Sequence, residues 1–236
     1  MKFRNILLAA ALVLPLMASA LQPASESLAS KARTALKQQE WANAQAFYLL
    51  LEDKEPHYAS AYAGHMVASE MRGLRGEAIQ TLERAIGAGV PLDSVLNPFR
   101  SQVRAFGEPQ FYPELLKEAA QAMPYMSRVF DGRLLDYYAF RRNSAGTIEY
   151  ATKLLAGLPS DTRFLLMLGQ AYMDEGNMAG AVDAWERVLA ADPDNFYALV
   201  AMGNYLRSQH NPGDKAYFER AYALKPTPYV ATILER

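Results

Sequence analysis

The 236-residue chain contains no cysteine. That removes disulfides, thiol nucleophiles and thiolate metal sites, and leaves no lipobox for bacterial lipid attachment. Histidine is scarce: His57, His65 and His210 stand at no spacing that would hold a metal. Neither sign of charge is in surplus, with 24 Lys and Arg against 25 Asp and Glu and a net charge of −1. Nucleic acid is therefore not an expected partner, since it requires a basic face. No apolar run after residue 17 is long enough to cross a bilayer. There is no Gly-rich phosphate loop followed by Lys, no HExxH, no Gly-x-Ser-x-Gly and no Ser-x-x-Lys. Acidic pairs such as Glu52-Asp53, Asp174-Glu175 and Asp192/Asp194 fall at helix ends and turns and read as solvated caps. A paired-carboxylate catalyst needs a convergence that nothing in the sequence suggests. The expectation is a protein that is not an enzyme and carries neither cofactor nor metal.

Residues 1–20 have the pattern of a secretory signal peptide. Lys2 and Arg4 precede an apolar run from Ile6 to Met17, and Ala18-Ser19-Ala20 is a small-x-small cleavage site. A helix of that run rises only about 18 Å against a hydrocarbon core of roughly 30 Å, so cleavage after Ala20 is expected rather than a retained anchor. The flanks have a bacterial pattern, which makes the periplasm, or secretion, the expected location. Without Lys2 and Arg4 the basic residues number 22 against 25 acidic.

Thr162 to Asn195, TRFLLMLGQAYMDEGNMAGAVDAWERVLAADPDN, is the most patterned stretch. Leu165, Leu168, Tyr172, Trp185 and Val188 recur at helical steps as an apolar stripe. Gly169 and Ala181 have little or no side chain and allow two helices to cross closely. Gly176 suits the turn between them, Asp161 and Asn177 are candidate N-caps, and Pro193 marks the stop. Leu165, Leu168, Gly169, Tyr172, Ala181, Trp185 and Pro193, taken at these spacings, resemble the tetratricopeptide repeat, a helix–turn–helix unit of about 34 residues that stacks into a superhelix.

Laid along the chain, the template predicts an all-α solenoid of about five repeats. Residues 21–92 form an N-terminal pair (25–58 and 59–92), in which Gly73 falls at the template position of Gly176. Residues 93–127 break the pattern, chopped by Pro98, Pro109, Pro113 and Pro124, and are expected to be an irregular helical connector with one helix from Phe111 to Ala122. Residues 128–236 form a C-terminal triplet (128–161, 162–195 and 196 to about 228) whose last turn is one residue short. Tyr229 to Arg236 is expected to cap the last apolar face.

The resemblance implies a concave groove lined mainly by the first helix of each repeat. Carried onto the triplet, its positions select Arg133, Asp136 and Phe140, then Arg163, Met167, Gln170 and Met173, then Tyr197, Asn204 and Arg207, with Val129, Leu166, Asp174, Val200 and Ser208 beside them. Such a mixture suits a peptide or protein partner: Met adapts to apolar shapes, Arg takes carboxylates, and Tyr and Arg are common anchors. The carboxylate clamp of some relatives is absent, because Gly132, Asp136, Met167, Tyr197 and Ala201 stand at its positions. In the N-terminal pair the positions are Glu26, Ala29, Ser30, Arg33, Leu36 and Lys37, then Ser60, Ala63, Gly64, Val67, Glu70 and Met71, which imply a shallow, mildly amphipathic channel able to accept a helix, its own or a partner's. The resulting expectation is a periplasmic scaffold supporting an envelope complex. The alternatives are a self-associating structural protein, such as a homodimer, and an accessory subunit of a cell-envelope enzyme.

Overall fold

A computed structural model describes residues 23–235, so the signal-peptide reading of residues 1–20 lies outside the described residues. Among them the chain is all α, with thirteen α-helices, one 3-10 turn and no strand. The helices are α1 (Pro23–Lys37), α2 (Trp41–Lys54), α3 (Ala59–Met71), α4 (Arg75–Gly87), α5 (Leu92–Ala105), α6 (Phe111–Ala122) and α7 (Ser127–Phe140). They continue as α8 (Ser144–Leu155), α9 (Thr162–Asp174), α10 (Met178–Ala191), α11 (Phe196–Ser208), α12 (Asp214–Leu224) and α13 (Pro228–Leu234). The chain divides into two compact units, one ending at Phe99 and the other beginning at Arg100.

A single backbone rhythm runs through the helix–turn–helix pairs. Left-handed φ values occur in a regular series at Gln39, Gly73, Gly107, Arg142, Gly176 and His210, at steps of 34, 34, 35, 34 and 34 residues, and outside that series at Gly89. Each member of the series lies in a turn between two successive helices. Gly73 and Gly176 were expected there, and three further turns place a non-glycine residue in the same conformation. Gly107 keeps the step within residues 93–127, between α5 and α6. Pro98 does not interrupt α5 but sits inside it, so that the helix forgoes one backbone hydrogen bond. Pro113 falls in the first turn of α6, where its missing N–H has no intrahelical acceptor to lose.

In the first unit, helices pack in chain order, α1 on α2, α2 on α3 and α3 on α4, and α1 also touches α3. α3 is buried along Ala61 to Glu70. Its small residues permit this: a Cβ placed on Gly64 would lie 2.3 Å from the Tyr48 ring. Glu52 is not the solvated residue that its place near a helix end suggested. It is 5% exposed, and its Oε1 lies 2.7 Å from His65 Nδ1 while its Oε2 accepts from Arg84 Nη2 at 2.8 Å. A charge removed from water needs such partners. Of the N-terminal channel positions, Ala29, Leu36, Ala63, Gly64, Val67 and Glu70 are buried in helix packing, whereas Glu26, Ser30, Arg33, Lys37 and Ser60 are exposed.

In the second unit each helix from α6 to α13 packs on the next. The expected caps are present: Asp161 Oδ1 accepts from the amides of Arg163 at 3.0 Å and Phe164 at 3.1 Å, and Asn177 Oδ1 accepts from Gly180 at 3.0 Å. Asn143, Asn195 and Thr227 cap α8, α11 and α13 in the same way. Successive repeats are also tied by their arginines, with Arg187 donating to the Pro159 carbonyl and Arg220 to that of Pro193. The expected terminal cover is α13, which packs on α12 with Val230 fully buried.

Candidate binding groove

The short turns fold α9 against α10 and α11 against α12 as helical hairpins, and this sorts the residues of α9 and α11 by face. On α9, Leu165, Leu168 and Gly169 are buried, whereas Leu166, Met167, Gln170, Met173 and Asp174 share another face. On α11, Ala198, Leu199, Met202 and Gly203 are buried, whereas Tyr197, Val200, Ala201, Asn204 and Ser208 share another. These two faces line one groove of about 570 Å³. Its further walls come from Ala139 and Arg142 at the end of α7, Ser144 and Thr147 at the start of α8, and Met178 and Trp185 of α10.

Trp185 holds the floor. It is 4% exposed and clusters with Ala181 and Met202, against which Tyr172, Ala201 and Tyr205 pack. Above it the lining is mainly apolar, with one cationic residue, Arg142, and one acidic residue, Asp174. Tyr197 remains 65% exposed and Met173 37% exposed, so large apolar groups face outward from the groove. Two amide side chains are held in place: Gln170 Nε2 donates to Asp174 Oδ1 at 2.7 Å, and the Tyr229 hydroxyl donates to Asn204 Oδ1 at 2.6 Å.

Of the ten residues selected from sequence, Met167, Gln170, Met173, Tyr197 and Asn204 come together in this groove, and the other five do not line it. Arg163 is ion-paired with Asp136, both side chains being more than half exposed. Phe140 is 77% exposed, with the Arg100 guanidinium 5.8 Å from its ring centroid. Arg133 and Arg207 are half-buried outside the lining. Arg142, Ser144, Thr147, Met178 and Trp185 were not among the expected positions, which were drawn from the first helices that mainly line such a groove. The signal available was the turn itself: Arg142 and Ser144 flank one reversal and Met178 follows another, so these residues converge at the turn end of the groove.

Among the described residues no group of three or more His, Asp or Glu side chains could hold a metal ion, and no helix is long and apolar enough to cross a membrane.

Comparison with known proteins places the recognised pattern on this same segment. The family model for the tetratricopeptide repeat matches residues 135–198 and 166–228. No curated protein matches the chain. Among solved structures the chain is similar to the C-terminal part of a TPR repeat-containing protein from Cytophaga hutchinsonii, with 17% identity over 82% of this chain and 77% of that one and a TM-score of 0.49. It is also similar to MamA from Desulfovibrio magneticus, with 16% identity over 71% of this chain and 95% of that one and a TM-score of 0.49. A third likeness is to the TPR2AB domain of yeast Sti1 in its complex with pHSP90, with 10% identity over 90% of this chain and 95% of that one and a TM-score of 0.37. The groove is built within the matched span, residues 135–228.

Proposed function

We propose that this chain is a non-catalytic scaffold of the periplasm that holds a peptide segment of another protein in the groove of its second unit, and so supports assembly of an envelope complex. The observation that carries the reading is the exposed lining of that groove. Tyr197 and Met173 stand open to solvent over a tryptophan floor, although their apolar surface gains from being covered. Repeat modules act through such extended surfaces, and tyrosine at the centre of a patch is a frequent binding anchor. The periplasmic part rests on the pattern of residues 1–20.

The test is affinity capture from the cell-envelope fraction with the wild-type chain and with a Met167→Glu, Val200→Glu double variant. Both residues are half-buried in the groove wall, and circular dichroism checks that the variant folds. Loss of the captured partner supports the groove, and unchanged capture removes it as the site. An Arg163→Asp, Arg207→Asp variant is expected to capture normally, because neither residue lines the groove. Mass spectrometry of the protein recovered from the periplasm reads whether cleavage follows Ala20.

A further inference from the structure

A second cavity of the second unit, of about 300 Å³, is formed by α6, α7 and α8 and shares no residue with the groove. Its polar lining is Lys117 and Gln121 of α6, Asp131 of α7, and Glu149, Tyr150 and Lys153 of α8. Two ammonium groups are thus set among two carboxylates, and the cavity as a whole is neutral. Asp131 is only 4% exposed, and a carboxylate so deep ordinarily has donors on both oxygens. Lys153 Nζ donates to its Oδ1 at 2.8 Å, and among the described residues nothing donates to its Oδ2. Tyr150 is buried too, its ring stacked on that of Tyr138 at 5.7 Å and its hydroxyl hydrogen-bonded to Glu149. Lys117 in turn is hydrogen-bonded to the Tyr138 hydroxyl. These contacts fix the wall in advance of any ligand.

The pairing of charges decides what can fill this space. A ligand ammonium brought to Asp131 would meet the Lys153 ammonium, which stands 2.8 Å from the same carboxylate. A ligand carboxylate brought to Lys153 would meet Asp131 in the same way. Attraction and repulsion cancel in either case, and the cost of stripping water from the ligand charge remains. An apolar ligand would leave Asp131 Oδ2 without a donor. A hydroxyl is neutral and both donates and accepts. Two hydroxyls on neighbouring carbons can therefore give one hydrogen to Asp131 Oδ2 and take one from Lys153 Nζ, and the Gln121 amide serves either role. We propose that this cavity binds one sugar ring, recognised through a pair of adjacent hydroxyls by Asp131 and Lys153. Its volume lies at the small end of ligand sites, as a single ring requires. A free sugar and a unit within a glycan chain present the same pair of hydroxyls, and the experiment separates them. The site is independent of the peptide groove.

The experiment is an NMR titration of the full chain with glucose, galactose, mannose and N-acetylglucosamine, with glycine and inorganic phosphate as charged probes. At least one sugar should give saturable shifts in the amides of α6, α7 and α8, and neither charged probe should displace it. Deoxy analogues of the best ligand should bind about tenfold more weakly at two neighbouring carbons, the loss of one good hydrogen bond each. Asp131→Asn should weaken binding by at least as much. That change also breaks a buried ion pair, so the second variant is Ala120→Trp, at a half-buried position of the cavity wall. It should abolish binding while the helical circular-dichroism signal is unchanged. The best sugar is then compared with its tetrasaccharide: tighter binding of the tetrasaccharide assigns the site to a unit within a glycan, and equal affinity assigns it to a free sugar. No saturable shift with any of the four sugars, tighter binding of glycine or phosphate at these helices, or undiminished binding by Ala120→Trp overturns the proposal.

Discussion

The indole of Trp185 fills the space that a side chain at position 169 would need. A Cβ placed on Gly169 would lie 2.5 Å from Trp185 Nε1 and 2.8 Å from its Cδ1. Gly203 and Phe218 repeat the relation, with ring atoms at 2.9 to 3.0 Å. That pair is one residue closer in sequence, so the shortened turn before α12 is absorbed without losing the contact. Gly169→Ala is expected to destabilise the fold by about 1–3 kcal/mol through overpacking, and Gly203→Ala by less. Gly132→Ala inside α7 meets nothing within 4 Å and should stabilise by about 0.5–1 kcal/mol, the ordinary helix cost of glycine. Urea unfolding of the three variants measures the contrast.

The left-handed turn residues give a second test. Gln39 and His210 hold φ values of 59° and 53°, which side-chain-bearing residues adopt at a cost. Gln39→Gly and His210→Gly should each raise stability by about 1 kcal/mol, and Gly176→Ala should lower it by a similar amount. No atom lies within 4 Å of a Cβ at Gly176, so that loss would come from the backbone alone. Thermal midpoints of the single variants decide it.

The pairing of Glu52 with His65 and Arg84 sets a third expectation. The Glu52 side chain is 4% exposed and the Arg84 side chain 43%. Glu52→Ala leaves His65 without its partner in the interior and should cost about 3–5 kcal/mol. Arg84→Ala should cost clearly less, because Glu52 keeps its contact with His65 and the arginine is partly solvated already. Chemical denaturation of both variants at neutral pH gives the order, and equal losses would contradict this reading.

Burial makes part of the stability sensitive to alkali. Desolvation pushes the Tyr48 hydroxyl up from 10 to about 12, against a smaller opposing effect of Arg33. Burial also raises Tyr62 and Tyr150. A raised folded-state pKa means that the contribution is complete below the unfolded value and is lost as pH climbs through the folded one. Stability should therefore decline as pH rises from 10 through about 12, and Tyr48→Phe should flatten part of that decline. Urea midpoints measured across this range, compared between wild type and variant, provide the check.

What could be read directly from the chain is whatever depends on local spacing. The helix pairs around Gly169 and Ala181, the caps Asp161 and Asn177, and the turns at Gly73 and Gly176 are short-range features, each carried by residue types suited to the job. The turns at Gln39, Arg142 and His210 take the same left-handed conformation without glycine. No local signal marks them, and the rhythm of the repeat imposes the strain.

Tertiary structure decided the rest, because burial and partnership belong to faces brought together from distant positions. Glu52 reads as a surface acid until α3 and α4 bring His65 and Arg84 to it. Arg163 reads as a ligand anchor until α7 and α9 set it beside Asp136. The groove gains Met178, Trp185 and Arg142 only when helix ends from three repeats converge. The repeat and its turns were thus determined by sequence alone, through steric demands acting over a few residues. The choice of which polar groups are spent inside the protein, and which are left for another chain, was made by packing.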